Sequence, residues 1–156
     1  MNEKKLKVYF DNSVIGGYFD EEFQEPTKLL FKFLDENKII GYFSSLTKQE
    51  ADAYINNPLA SEFDKLFQKL TQVNLNDEIR RLADEYMQQG VLTKKSINDC
   101  LHVAIATFYD FEIIVSWNFK HLVNIDKIPK FNLINFKLGY KQIQICTPGD
   151  IVYGIR

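Results

Sequence analysis

Four polar side chains in this sequence stand where a short apolar segment gives way to a turn or a helix. Asp11 follows the apolar segment 6–10, and Asn118 ends the apolar segment "EIIVSWN". Glu50 in "LTKQE" and Asp99 in "SINDCLHVAIA" each stand at the start of a predicted helix. Carboxylate and amide oxygens are the ligands that Mg²⁺ and Mn²⁺ prefer. These residue types at these places indicate a metal site, provided that the fold brings them together.

Each acid also has a purely local explanation. Thr47-x-x-Glu50 and Ser96-x-x-Asp99 both match the capping box, in which the acid accepts from a free backbone N–H at a helix start. Asp11, with the polar residues that follow it, can form an Asx-type turn. Because such motifs are common, each acid taken alone is explained at least as well by local hydrogen bonding.

The three acids taken together favour a cation. Three carboxylates that meet at one edge of a sheet repel one another, so some would have to bind protons unless a cation lay between them. The partial charges of helix N-termini help to keep Glu50 and Asp99 ionised, but they do not neutralise the whole cluster. A divalent cation does, and Mg²⁺ usually keeps several waters, which suits a phosphate substrate.

The hydrophobic pattern predicts how these residues are positioned. Short apolar strands are predicted at Leu6–Phe10, at Ile39–Ser44, at "EIIVSWN" and, as an edge strand, at "KQIQICT". Amphipathic helices are predicted between them: one capped by Thr27, one at "SLTKQEADAYI", one spanning Phe63 to Leu70, one from Ile79 to a stop at Gly90, and a buried one from Ser96 to Tyr109.

This alternation of helices and short strands predicts an α/β sandwich around a mostly parallel sheet. The chain has no linker and no repeat, so residues 1–156 are expected to form a single domain. Ligands of open parallel sheets bind beyond the carboxyl ends of the strands, where Asp11 and Asn118 are predicted to lie.

The overall composition restricts the possible partners. With a net charge of −2, the chain has no general electrostatic affinity for nucleic acid, so any basic groups that bind it must cluster at one site. Cys100 and Cys146 form no CxxC motif, which is typical of a reduced intracellular protein. No signal-peptide core and no apolar run of about 20 residues is present, so we expect a cytoplasmic protein that does not enter a membrane.

Four segments in order, "YFDNSVI", "LTKQE", "NDCLHVAIAT" and "IIVSWNFKHL", resemble the PIN-domain family, particularly its VapC-type toxin branch. The resemblance runs from about Leu6 to Pro148, and "DCLHVAIA" followed by "SWN" is its most specific part. It implies a three-layer α/β/α sandwich and a metal-dependent endoribonuclease. The catalytic acids that it implies are Asp11, Glu50 and Asp99.

The sequence departs from the family pattern in two places. Asn12 stands where the family often has Thr or Ser after its first Asp, and it is still polar and compatible with a turn. Asn118 stands where a fourth acid is frequent. An Asn can coordinate Mg²⁺ or hold a metal-bound water, but it adds no charge, so binding of a second metal is left open.

The resemblance also implies a mechanism and partners. Mg²⁺ or Mn²⁺ would be held by Asp11 and Asp99, with Glu50 completing the shell or orienting the attacking water. In-line attack on phosphorus would leave a 5′-phosphate and a 3′-hydroxyl. Asn12 and Ser13 would hold ligands or substrate oxygens. The expected partners are an RNA substrate, a cognate antitoxin of a type II pair, and a second copy of the chain in a homodimer.

Neighbouring residues are open to two interpretations. His102 shares the helical face of Asp99, and a structural or supporting role is favoured over metal ligation. Lys120 and His121 could contact an RNA phosphate or lie in a solvated loop, and Trp117 could stack on a base or belong to the core. The pair Gly16-Gly17 predicts a plain turn.

The acidic loop and Cys100 also have two interpretations each. The acidic loop could be a solvated surface or a docking surface for a basic partner such as an antitoxin tail; its acids are Asp20, Glu21, Glu22 and Glu25. Cys100 is better explained by burial than as a nucleophile, because no His–acid arrangement supports it.

Two other functions compete with the nuclease. A covalent aspartyl-phosphate enzyme of the HAD type would carry a second Asp two residues after the first, where this chain has Ser13. A nucleic-acid- or protein-binding module that kept a PIN-like fold and lost activity is the alternative, with Asn118 as the first sign of decay. Metal-dependent RNA cleavage by the purified protein separates this module from the enzyme.

Overall fold

The computed structural model describes residues 4–54 and 57–154 and contains one five-stranded sheet. Its strands are β1 (Leu6–Phe10), β2 (Ile39–Ser44), β3 (Thr71–Val73), β4 (Ile113–Val115) and β5 (Gln144–Cys146). The spatial order is β3-β2-β1-β4-β5, and every neighbouring pair is parallel. The chain leaves β1 toward β2 and returns on the other side at β4, so the strand order reverses between β1 and β4. Such a reversal opens a crevice at the carboxyl ends of the two strands.

Helices cover both faces of the sheet. They are α1 (Asn12–Gly17), α2 (Gln24–Asp35), α3 (Ser45–Tyr54), α4 (Ala60–Phe67), α5 (Asp77–Gln88), α6 (Ile97–Phe108), α7 (Lys127–Lys137) and α8 (Pro148–Gly154), with short 3₁₀ turns at Asn57–Leu59 and Lys94–Ser96. Side chains alternate across a strand. Tyr9 therefore packs with α5, α6 and α7 on one face, whereas Val8 and Phe10 pack with α1, α2 and α4 on the other.

The predicted three-layer α/β/α sandwich is confirmed, and the sheet is entirely parallel rather than mostly parallel. β1 and β2 have the predicted bounds, β5 is an edge strand, and Gly90 ends α5 with a φ of 75°. β4 ends at Val115, earlier than predicted, so Ser116 to Asn118 lie in the loop beyond it. Within the described residues, no helix is long and apolar enough to cross a membrane.

Two local predictions are wrong. Gly16 and Gly17 belong to the short helix α1 and do not form a plain turn. Thr27 does not cap a helix, because α2 already begins at Gln24. Its hydroxyl instead donates to the carbonyl oxygen of Phe23, one turn earlier, at 2.7 Å. The hydrogen-bonding capacity of Thr27 is thus used inside the helix rather than at its start.

The buried helix predicted from Ser96 to Tyr109 is observed as α6. Its residues from Cys100 to Thr107 are all buried, and it packs mainly against α5. A helix that is apolar on every side must be packed against other elements on every side. The first turn of α6 remains at the carboxyl edge of the sheet, where it presents Asp99.

Candidate active site

Asp11 lies directly beyond β1 and is only 2% exposed. Its Oδ1 accepts from the backbone N–H of Val14 at 3.3 Å and from Ser13 Oγ at 2.6 Å, and its Oδ2 accepts from Ser116 Oγ at 2.6 Å. Asp11 is therefore the N-cap of α1, so the predicted local role of this acid is real. A carboxylate has about four acceptor positions, so these three bonds leave room for one more partner.

The environment of Asp11 does not favour its charge. Burial raises the pKa of this carboxyl above its usual value, while the charge of His102 and the hydrogen bonds from Ser116, Ser13 and Val14 act in the opposite direction. A cation at the remaining acceptor position would stabilise the ionised form.

The predicted capping box between Thr47 and Glu50 is wrong. Ser44 Oγ accepts from the N–H of Thr47 at 3.3 Å, and Thr47 Oγ1 accepts from the N–H of Ser44 at 3.2 Å. This reciprocal pair caps α3 one turn before the predicted position. Since α3 begins at Ser45, Glu50 lies in its second turn, beyond the reach of the partial charge of the helix terminus.

Glu50 instead contacts His102, a buried residue of α6. Nε2 of His102 is in close hydrogen-bond contact with Glu50 Oε1, and its Nδ1 lies 2.6 Å from the hydroxyl of Tyr9. The Tyr9 hydroxyl in turn lies 2.8 Å from Ser44 Oγ and 3.1 Å from Thr47 Oγ1. His102 is 1% exposed, whereas the side chain of Glu50 is 21% exposed. We call the chain of contacts from Tyr9 through His102 to Glu50 the buried relay.

The pKa of His102 depends on its burial and on the three acids. Burial alone would lower the pKa of His102, but the hydrogen bond and charge of Glu50, followed by the charges of Asp11 and Asp99, raise it above its usual value. The imidazolium form donates from both ring nitrogens, to Glu50 and to Tyr9. Burial also raises the pKa of Tyr9, so its phenol stays protonated. The negative charges of all three acids therefore favour the protonated form of His102. His102 contacts Glu50 directly and serves as its supporting group.

Asp99 also does not form its predicted capping box. Ser96 makes no side-chain capping bond, and its Oγ lies 3.4 Å from His121 Nδ1. Asp99 Oδ2 lies 2.9 Å from His121 Nδ1, and its Oδ1 accepts from Asn118 Nδ2 at 3.3 Å. The loop after β4 therefore reaches back to the first turn of α6. His121, which was a candidate for contact with RNA phosphate, is paired with Asp99.

Asn118 connects the two halves of the site. Its Nδ2 donates to Asp99, and its Oδ1 accepts from the N–H of His121 at 3.0 Å. Its own N–H donates to Ser116 Oγ at 2.9 Å, and that hydroxyl donates to Asp11. The Asn118 amide does what a carboxylate cannot do, because it donates a hydrogen bond to a neighbouring acid.

The remaining candidate residues lie at the rim. Ser13 Oγ donates to Asp11 and accepts from the N–H of Trp117 at 2.8 Å, so Ser13 positions the carboxylate of Asp11. Asn12 is partly buried beside it and borders a cavity. Lys120 is exposed in the loop after β4.

Sequence reasoning missed three groups: Ser116, Tyr9 and the Ser44–Thr47 pair. Ser116 follows β4 as Asp11 follows β1, and the strand register pairs Phe10 with Val115. Two residues that each follow a paired position lie side by side, so a known register would have identified Ser116. Tyr9 resembled an ordinary core aromatic in the sequence, and only its buried hydroxyl distinguishes it.

The fit to a metal depends on the donor set. Among the described residues, no three Asp, Glu, His or Cys side chains are arranged as a ready-made ligand cage. Mg²⁺, however, is commonly held by one or two carboxylates, with waters and substrate phosphates in the other positions. Asp11 and Asp99 supply two such carboxylates, each with acceptor positions free, while Glu50 is held by His102. The donors fit a largely hydrated ion rather than a closed cage.

Comparison with known proteins adds no assignment to this geometry. No protein-family model matches the chain, and no curated protein matches it. The function must therefore be inferred from the side chains at the carboxyl edge of the sheet.

Proposed function

We propose that this protein is a divalent-metal-dependent endoribonuclease of the PIN type, with Asp11, Glu50 and Asp99 as its catalytic acids. One observation carries this proposal: Asp11 and Asp99 are joined by hydrogen bonds through Ser116 and Asn118, and Glu50 contacts buried His102 on the same helix as Asp99. The pKa values of Asp11 and His102 are both raised, and titratable groups with shifted pKa values at the carboxyl edge of a parallel sheet are typical of active sites.

The local explanations account for only part of the acid cluster. Asp11 caps α1, but Glu50 and Asp99 make no capping bond and contact His102 and His121 instead. Helix capping therefore does not explain Glu50 and Asp99, and metal-dependent chemistry would give both acids a use.

Each residue of the site would have a separate role in cleavage. Asp11 and Asp99 would hold Mg²⁺ or Mn²⁺, which when bound supplies Lewis acidity toward a phosphate and its attacking water. Glu50, fixed by the buried relay, would orient that water and accept its proton. Asn118 would keep Asp99 in place and hold a water through its carbonyl oxygen. Lys120 would contact the RNA backbone.

The narrower biological assignment depends on the resemblance alone. It implies the toxin of a type II toxin–antitoxin pair that acts in the cytoplasm, inhibited by an antitoxin and active as a homodimer. The acidic loop at Asp20–Glu25 would suit a basic antitoxin segment.

A catalytically weakened binding module is the second candidate. Two observations favour it: the neutral Asn118 in the position of a fourth acid, and the lack of a three-ligand cage among the described side chains. Such a module would keep affinity for RNA or protein without cutting.

RNA cleavage by the purified protein separates the two candidates. A labelled single-stranded RNA is incubated with Mg²⁺, with Mn²⁺ or with EDTA, and the ends of the products are identified. The nuclease proposal predicts cleavage with either metal, none with EDTA, and loss of most cleavage in Asp99→Asn. Glu62→Gln is the control, since Glu62 lies on α4 and pairs with Lys65 at the surface. Binding of RNA without cleavage in either metal would favour the module.

A further inference from the structure

A cavity of about 430 Å³ lies beside the acid site, between the start of α1 and the loop after β4. Asn12 and Ser13 border it on the side of the acids, and Asp20, Phe23, Phe63 and Trp117 line the rest together with Gly16 and Gly17. We propose that this cavity binds one unpaired base of single-stranded RNA next to the bond that is cut. The placement beside a cleaved bond depends on the proposed function, whereas the binding of a base does not.

The aromatic wall of the cavity is held in a fixed arrangement. The rings of Phe23 and Trp117 are stacked, with centroids 4.3 Å apart and an interplanar angle of 23°. The indole N–H of Trp117 donates to Thr27 Oγ1 at 2.9 Å, and its backbone N–H donates to Ser13. Phe119 lies at the rim, 6.1 Å from Trp117 between centroids, and is 51% exposed. Aromatic side chains of this kind are the usual stacking platforms for unpaired bases.

Gly17 makes this arrangement possible. A Cβ at position 17 would lie 2.7 Å from two atoms of the Trp117 indole, closer than real Cβ contacts. The absence of a side chain therefore lets the edge of the indole that bears Cδ1 and Nε1 approach α1 this closely.

The charge of the lining favours a base over a phosphate. Among the described residues that line the cavity, none is a Lys or Arg, and Asp20 brings a carboxylate. A phosphate would be repelled by Asp20, whereas the N–H groups on the edge of a base can donate to a carboxylate or to an amide oxygen. The polar groups of Asn12, Ser13 and Asp20 thus suit the edge of a base, and the rings suit its face.

Ser13 joins the cavity to the acids. Its hydroxyl donates to Asp11 at 2.6 Å and accepts from the N–H of Trp117 at 2.8 Å. A base in the cavity therefore places its neighbouring phosphodiester on the side of Asp11. A base within a duplex cannot enter, because its edge is paired and its faces are stacked, so the substrate class is single-stranded RNA.

Trp117 is the only tryptophan of the chain, so its fluorescence reports on this cavity alone. The purified protein is titrated in EDTA with a short single-stranded RNA, with the same strand in a duplex, and with an abasic strand of equal length. We expect saturable quenching by the single strand and binding weaker by about tenfold or more for the abasic strand and the duplex. Equal affinity for the abasic and the normal strand, or no change in fluorescence with any strand, would overturn the proposal.

Variants of Phe23 give a second test. Phe23→Leu keeps an apolar side chain and removes the aromatic face, so it should weaken binding of the single strand by about fivefold or more, and Phe23→Tyr should restore it. Phe136→Leu is the control, because Phe136 is an exposed phenylalanine that does not line the cavity. Unchanged binding in folded Phe23→Leu would overturn the proposal, as would an aromatic peptide that quenches Trp117 while RNA does not.

The same samples distinguish this proposal from the proposed function. Base-dependent binding in EDTA without cleavage in Mg²⁺ or Mn²⁺ would support the base site and contradict the nuclease. Metal-dependent cleavage with equal affinity for the abasic strand would support the nuclease and contradict the base site.

Discussion

His102 Nε2 contacts the carboxylate of Glu50, while His102 Nδ1 lies 2.6 Å from the hydroxyl of Tyr9. Glu50 is thereby held by a histidine from α6 and, through it, by the central strand β1. A glutamate on an exposed helix surface has no such restraint. This contact distinguishes a positioned acid from a solvated one, and it leads to separate expectations for the three residues of the buried relay.

Glu50→Gln should separate stability from activity. The Gln side chain can still accept from His102 Nε2, and Glu50 is not part of the cap of α3, so we expect the free energy of unfolding to change by no more than about 1 kcal/mol. Metal-dependent RNA cleavage should fall by about 100-fold or more, because the variant cannot accept a proton. Thermal unfolding and cleavage rates of parent and variant check both expectations, and parental cleavage would remove Glu50 from the catalytic set.

Tyr9→Phe should lower stability without a change in the acids. It removes a hydroxyl that bonds to His102, Ser44 and Thr47 in the interior, and unpaired buried polar groups cost about 1–3 kcal/mol. Urea denaturation measures the difference. Tyr153→Phe is the matched control because Tyr153 is exposed, and it should unfold like the parent. Equal stability of both variants would mean that the Tyr9 hydroxyl contributes nothing to the relay.

Asn118→Asp should lower the stability of the metal-free protein and raise its affinity for a divalent metal. The variant loses the donor to Asp99 and places a second carboxylate beside it, so its melting temperature in EDTA should fall below that of the parent. The added charge should tighten binding of a second Mg²⁺ or Mn²⁺ ion and raise the melting temperature again when metal is present. Isothermal titration across both metals measures affinity and stoichiometry. No change in either would place Asn118 outside the metal shell.

The thiol of Cys100 should be unreactive in the folded protein. Burial, followed by the charge of Asp99, raises the pKa of its thiol to about 12, and burial raises that of Cys146 to about 12 as well. At neutral pH both thiols are protonated and poor nucleophiles. A thiol reagent should react slowly with the native protein and rapidly after unfolding in denaturant, and Cys100→Ala should cleave RNA at the parental rate. Loss of cleavage in that variant, with the fold intact, would reopen a nucleophilic role.

The protonation of Asp11 should couple stability to pH. Its pKa is raised in the folded protein above the ordinary value of 3.8, so the folded state binds more protons than the unfolded state as pH rises past that value. The contribution of Asp11 to stability is therefore fully present at lower pH and is lost as pH rises through the raised pKa. Measured in EDTA against Asp11→Asn, the relative stability of the parent should fall with pH over this window. A difference independent of pH would mean that the pKa of Asp11 is not raised.

Much of the fold could be predicted because hydrophobic periodicity is a local signal. β1, β2 and α6 are long or strongly apolar, and the sequence marks them clearly. β3 was missed because its three residues are mostly exposed, so no apolar pattern marks it. The capping motifs of Glu50 and Asp99 failed for other reasons. For Glu50, two hydroxyl residues precede the helix, and spacing alone does not show that Ser44 begins the cap. For Asp99, the loop after β4 supplies Asn118 and His121 as partners, which no local pattern contains.

The candidate site could be predicted only as far as residue types allow. Asp11, Glu50 and Asp99 stood out because acids are unusual beside buried segments. The contact of His102 with Tyr9, which joins residues 93 positions apart, depends on packing that no local pattern contains. The contact of Ser116 with Asp11 depends on the register of β1 against β4. Sequence therefore indicated the acids, and tertiary structure was needed to find the groups that hold them.

The central claim is that the buried carboxylate of Asp11 serves a metal-dependent nuclease rather than only the start of α1. The most direct measurement is the rate of RNA cleavage in Mn²⁺ by the parent and by Asp11→Asn, with thermal unfolding recorded on the same samples. Asn is also a good N-cap, so the variant should remain folded, with a free energy of unfolding within about 1 kcal/mol of the parent. We predict that the parent cleaves in Mn²⁺ and not in EDTA, and that the folded variant loses nearly all cleavage. A folded Asp11→Asn variant that cleaves RNA at the parental rate would contradict the account.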